Sequence, residues 1–183
     1  MRPSSLLVVS LLVVSCTRGE GKPEEKKAEP PKPAVVEDCT LDTPLVPGVP
    51  GSPGNLIPSD INPNGASELA TLMRRMVKDL EDNRAAIEKG EVPAPLWLRH
   101  RRIRCSWPTA LSDRNAAFDG MAQAYLAQVK ALDAQPKDMR AAHDAVVEAC
   151  RACHENTCSG PIERIMQLKM DAVDAGAVAA PAK

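Results

Sequence analysis

Residues 136–158 read PKDMRAAHDAVVEACRACHENTC. In that stretch Met139, Ala142, His143, Val146, Val147, Cys150, Cys153 and His154 recur every three or four residues, the spacing of one face of a helix. Pro136 suits the first helical position, and Gly160-Pro161 stops the run. The inward stripe ends in Cys150, Cys153 and His154 at i, i+3 and i+4. Two thiols and an imidazole therefore point toward one object.

The chemistry that needs this order is covalent haem attachment. The thiols add across the two haem vinyl groups, and the neighbouring imidazole reaches the iron. One covalent haem c is the expected cofactor, with Cys150 and Cys153 as thioether residues and His154 as proximal iron ligand. The rival is zinc held by Cys150, Cys153, His154 and Cys158, a set that one helix face wraps poorly around a tetrahedron.

Three further helices are expected upstream. The first spans 67–89, with Ser67 as N-cap, Gly90 just past its end, and a stripe of Leu69, Leu72, Met73, Met76, Val77, Leu80 and Ile87. Pro93 and Pro95 open a short second element over 96–105, carrying Trp97, Leu98 and Ile103. The third, over 112–132, has the cleanest stripe: Phe118, Met121, Ala122, Tyr125, Leu126, Val129 and Leu132. A short amphipathic piece over 162–170 follows the fourth. No Val/Ile/Thr-rich alternating segment lies between them, so strands are not expected. The fold class read from this pattern is all-α, an up-down-up-down four-helix bundle with a shortened second helix and a Pro/Gly-rich N-terminal extension. It forms one domain over 67–170.

The start of the chain reads as an address. Met1-Arg2 precedes an apolar run over 6–14, too short for the roughly 20 residues that span a bilayer but suited to an export signal. Leu12-Val13-Val14-Ser15-Cys16 resembles a bacterial lipoprotein signal. Residues 1–15 would then be removed, and Cys16 lipidated as the first mature residue. The expected location is the periplasmic face of a membrane, with the lipid as the membrane contact. Residues 17–36 are mostly Lys, Glu, Pro and Ala and read as a disordered tether. The Pro/Gly-rich piece that closes the 16–66 segment reads as structured loop, and 171–183 as a disordered tail.

With 23 basic and 24 acidic residues among 183, the bulk charge asks for no nucleic acid. Aromatics are only 2% of the chain, so the core must come from Leu, Val, Ala and Met, and a haem would supply the missing large apolar body.

On Leu72-Met73 followed by Lys89-Gly90-Glu91, on Phe118, and on Cys150, Cys153 and His154, the chain resembles the class II c-type cytochromes, the cytochrome c prime group. The resemblance covers about residues 67–158. It implies a four-helix bundle with haem near the end of the fourth helix, and, given a methionine early in the first helix, a six-coordinate electron carrier rather than an enzyme. Met73 is then the expected distal ligand, with Met76 one turn on as the alternative. Redox proteins are the implied partners, and a homodimer is compatible. An open sixth position would instead make a haem protein that binds small gases such as NO or CO. A third reading is a non-haem lipoprotein, a bundle stapled by a disulfide or zinc.

His143 lies about 16 Å from His154 by helix rise, too far along one helix to reach the other face of the same haem. His100 reaches the iron only if the second element packs over it. Arg101, Arg102 and Arg104 either hold a haem propionate or guide an acidic partner, or form a solvated face. Setting aside Cys16, Cys150 and Cys153 leaves Cys39, Cys105 and Cys158 in an oxidising compartment. One disulfide is expected, Cys105 with Cys39 or with Cys158.

Overall fold

A computed structural model describes residues 39–170, all within one compact unit. The expected export signal, Cys16, the expected tether and the expected tail lie outside the described residues. Five α-helices pack together: α1 (Glu68–Glu88), α2 (Trp97–His100), α3 (Ala116–Asp133), α4 (Met139–Thr157) and α5 (Ile162–Met166). Among the described residues there is no strand, only an isolated bridge between Ile57 and Ala66. None of these helices is long and apolar enough to cross a membrane.

α1 starts where Ser67 accepts the Ala70 N–H at 3.1 Å, satisfying one of the otherwise unpaired amides of a first turn. It ends at Gly90, whose φ of +75° turns the chain back with little steric cost. Leu69, Leu72, Met76 and Leu80 form its buried stripe. Asn83 is buried beside them and clamps the following connection, donating to the Ala94 carbonyl at 2.9 Å and accepting the Ala94 N–H at 3.0 Å. The connection to α2 is thus fixed by a paired amide, as a buried polar group requires.

α2 has no side-chain cap of its own. Asp133, in the last residue of α3, supplies one by accepting the Leu96 N–H at 2.9 Å and the Trp97 N–H at 2.8 Å. The helix tightens into a 3-10 turn over Arg101–Arg104, so the second element is two short turns in series. Asp133→Ala leaves both amides unpaired and is expected to cost about 1–3 kcal/mol, read as a drop in the urea midpoint at unchanged slope. Asp133→Asn should recover part of it, because an amide oxygen still accepts.

Two helix starts differ from the sequence expectation. The third begins at Ala116 rather than 112, because Asn115 caps it by accepting the Phe118 N–H at 3.0 Å, while Leu111–Asp113 forms a separate 3-10 turn. The fourth begins at Met139 rather than Pro136. Asp138 accepts the Ala141 N–H at 2.9 Å, and Gln135, at φ +53°, has already turned the chain out of helical geometry. In both places a side-chain oxygen outcompetes continued helix.

α3 and α4 share the largest interface, and Val129, Leu132, Val146 and Val147 are fully enclosed with Leu80 of α1. α5 ends at Met166, short of the expected 170. The chain here doubles back along α4: Lys169 pairs with Glu148 at 2.9 Å, and the Met170 N–H reaches Asp144 at 2.9 Å. It meets α1 through the Arg164–Glu81 ion pair and through Arg84, which donates to the Gln167 carbonyl at 2.8 Å. Residues 164–167 therefore run in the sense of α1.

Residues 39–66 wrap the start of α1 in turns. A Cβ at Gly51 would come within 2.2 Å of the Glu68 nitrogen, so only glycine lets this loop touch the helix end. The Trp107 indole N–H donates to the Val46 carbonyl at 2.6 Å. A disulfide joins Cys39 to Cys105, with Cα atoms 5.2 Å apart.

Candidate functional site

Cys150, Cys153 and His154 lie on the last two turns of α4. Cys153 is buried, and Cys150 packs against the core. Burial pushes the Cys150 thiol up to about 12, helped by the neighbouring Cys153 and opposed by a hydrogen bond from Tyr125. Burial raises the Cys153 thiol as well. Both are protonated at neutral pH and poor nucleophiles, the reverse of a reactive dithiol. Cys158 is a free, exposed thiol.

The His154 imidazole is held by its Nδ1, which donates to the Cys158 carbonyl at 2.8 Å in the tautomer that leaves the Nε2 lone pair for a metal. A backbone carbonyl on the far nitrogen is the usual orienting partner of a metal-bound histidine. No three His, Cys, Asp or Glu side chains among the described residues gather into a metal-sized site, so the zinc set is not assembled.

His143 is fully buried and bonds through Nε2 to the Leu80 carbonyl at 3.1 Å, which makes it a core residue and fixes register between α4 and α1. Cys150 lies seven residues on from His143 along α4, and Met73 seven before Leu80 along α1. Met76 is enclosed in the core, and Met73 packs half-buried at its margin.

The structure assembles a second set that the sequence reading missed. Tyr125, the chain's one tyrosine, is buried on α3. Its hydroxyl is 2.6 Å from Nδ1 of His100, which is 0% exposed, and Nε2 of His100 is 3.1 Å from Asp79. Asp79 is partly exposed and also pairs with Arg99. One residue from each of α1, α2 and α3 thus makes a polar chain into the interior. The signal available in sequence was the lone Tyr on an apolar stripe, since a buried hydroxyl needs a partner.

Of the arginines in the basic run, Arg102 pairs with Glu68, and Arg104 pairs with Asp119 at 2.6 Å. Two shallow grooves, of about 310 and 280 Å³, lie away from the thiols. One is lined by Glu81, Arg84, Glu88 and Arg164, the other by Ile87, Val92, Pro136 and Met139.

The donor set fits a covalently attached haem: two inward thiols three residues apart and an imidazole whose outer nitrogen is already bonded. The interior beside Cys150 is filled by Tyr125, so that contact must open to admit a porphyrin. No family profile, curated protein or solved structure matches the chain.

Proposed function

We propose that the protein is a one-haem c-type cytochrome that carries electrons, an exported protein tethered to a membrane by lipid on Cys16, with redox proteins as its partners and no substrate chemistry of its own. Its helices are read as the up-down-up-down bundle of the class II c-type cytochromes, with α2 and the following 3-10 turn as a shortened second helix. The observation that carries this reading is His154, whose Nδ1 is tied to the Cys158 carbonyl while Cys150 and Cys153 face inward on the same helix. Haem, when bound, supplies a one-electron couple.

The chain's own part is to hold and tune that group. Cys150 and Cys153 anchor it, and His154 presents Nε2. Met73, half-buried at the core margin, offers a thioether from α1; against imidazole, a thioether raises the reduction potential.

The test is expression in a host with cytochrome-maturation machinery, followed by absorption spectra of oxidised, reduced and alkaline-pyridine samples. The expected product is red, with the pyridine spectrum of a porphyrin whose two vinyls are saturated. Reduced wild type is expected not to bind carbon monoxide, whereas Met73→Ala does. Carbon monoxide binding by the wild type would move the reading to a gas-binding haem protein. Colourless protein with Cys150 and Cys153 free for alkylation would overturn both.

A further inference from the structure

The second element, α2 with the 3-10 turn over Arg101–Arg104, has little apolar anchorage. Leu96 and Ile103 are its buried apolar side chains, Trp97 is half-buried, and Leu98 is exposed. Much of what holds it is polar and ends on carboxylates of its two neighbours. On α1, Asp79 pairs with Arg99 and His100, and Glu68 with Arg102. On α3, Asp119 pairs with Arg104, and Asp133 accepts the Leu96 and Trp97 amides. Cys105, just past the turn, is bonded to Cys39.

His100 is the buried member of this set. It is 0% exposed, and both ring nitrogens are engaged: Nδ1 is 2.6 Å from the Tyr125 hydroxyl, and Nε2 is 3.1 Å from the Asp79 carboxylate. A carboxylate only accepts, so Nε2 carries the ring proton and Nδ1 accepts the Tyr125 O–H. The neutral imidazole thus satisfies both neighbours, as burial requires.

We propose that His100 is an acid-sensitive latch: when it takes up a second ring proton, the second element comes away from α1 and α3 as a local opening hinged at Cys105, while the other helices stay packed. The latch does not depend on haem. Solvent supplies the proton and takes it back as pH rises. The proton lands on Nδ1, which changes from acceptor to donor, and Tyr125 must swing its own O–H out of the contact. The ring becomes a cation in a place without water, which is costly even with a carboxylate at Nε2.

The groups facing His100 set the direction. Burial disfavours its charged form most strongly, Asp79 from α1 and Asp133 from α3 favour that form, and Arg99 on its own helix opposes it. Burial prevails, so the closed protein holds the imidazole below its usual range. Tyr125, the titratable group at Nδ1, is raised well above its usual range by burial and stays protonated. Once the element opens, His100 stands in water with an ordinary affinity near about pH 6.5. Below that pH the open form binds the proton more tightly than the closed form, and the opening equilibrium grows about tenfold per unit until the closed-form value is reached. Above it the latch is shut. A short element with few buried apolar contacts is the part of a fold that opens most readily, and the disulfide keeps its far end in place for return.

The experiment follows hydrogen exchange of the purified full-length protein by peptide mass spectrometry between pH 8 and pH 5, with each rate referred to the same residues in an unstructured peptide. Opening of residues 97–104 is expected to rise about tenfold per unit below about pH 6.5, with α1 and α4 unchanged. His100→Asn is expected to show no rise. If that variant does not fold, the wild-type His100 ring is titrated by NMR, and the closed protein is expected to keep a single ring proton, on Nε2, through the usual histidine range. The latch is overturned by a wild type with no rise, by an equal rise in His100→Asn, or by a rise shared with α1 and α4. It is equally overturned by a His100 ring that takes up its second proton in the usual range while residues 97–104 stay protected.

Discussion

In the haem-free folded protein, iodoacetamide at pH 8 is expected to label Cys158 within minutes and to leave Cys150 unmodified until the bundle opens. Cys158 is an exposed thiol. Cys150 carries a thiol raised to about 12, so roughly one molecule in ten thousand holds a thiolate at pH 8, against about a quarter for an ordinary cysteine. The rate ratio from ionisation alone exceeds about a thousandfold, and burial adds to it. Cys153 follows Cys150 in direction, because burial raises it too. Timed labelling with peptide mass spectrometry reads all three, and urea should make them equal. Native-state labelling of Cys150 at the rate of Cys158 would show that α4 does not turn this face inward. Under the proposed function, attachment must then precede closure of the helices around Cys150.

The second large effect belongs to the disulfide. Cys39 and Cys105 are 66 residues apart in sequence, and the closed loop contains the whole of α1. Cross-linking a loop of that length removes unfolded-state entropy corresponding to about 4 kcal/mol. Cys39→Ala, Cys105→Ala and dithiothreitol treatment should therefore each lower the thermal midpoint by on the order of 15 °C. The double variant should fall no further than either single one. An unchanged midpoint after verified reduction would show that neighbouring contacts hold the segment alone. Those contacts are the Trp107–Val46 bond and the Arg114 bond to the Thr40 carbonyl.

The helical pattern was legible because burial imposes a period on the sequence. Leu69, Leu72, Met76 and Leu80 on one helix, and Val146, Val147 and Cys153 on another, announced their inward faces. Ser67 marked a start because its hydroxyl competes for the first amides, and Gly90 marked an end because its backbone tolerates positive φ. Asn115 and Asp138 carry the same kind of signal, yet upstream Ser112 and Pro136 offered earlier starts, and only the packed structure chose between them. The polar chain was hidden for a different reason. Asp79, His100 and Tyr125 lie on three separate helices, and no periodicity within one helix records a partner on another. Asp133 reaching across to Leu96 and Trp97 was hidden in the same way.

The position of Cys39 has a mechanical consequence. Any pull on the segment before it enters the folded unit at a covalent bond to Cys105, at the end of the 3-10 turn over Arg101–Arg104. Tension then passes directly to Cys105, and the backbone of 40–66 is bypassed by that load path. The start of α1 is thereby shielded from peeling.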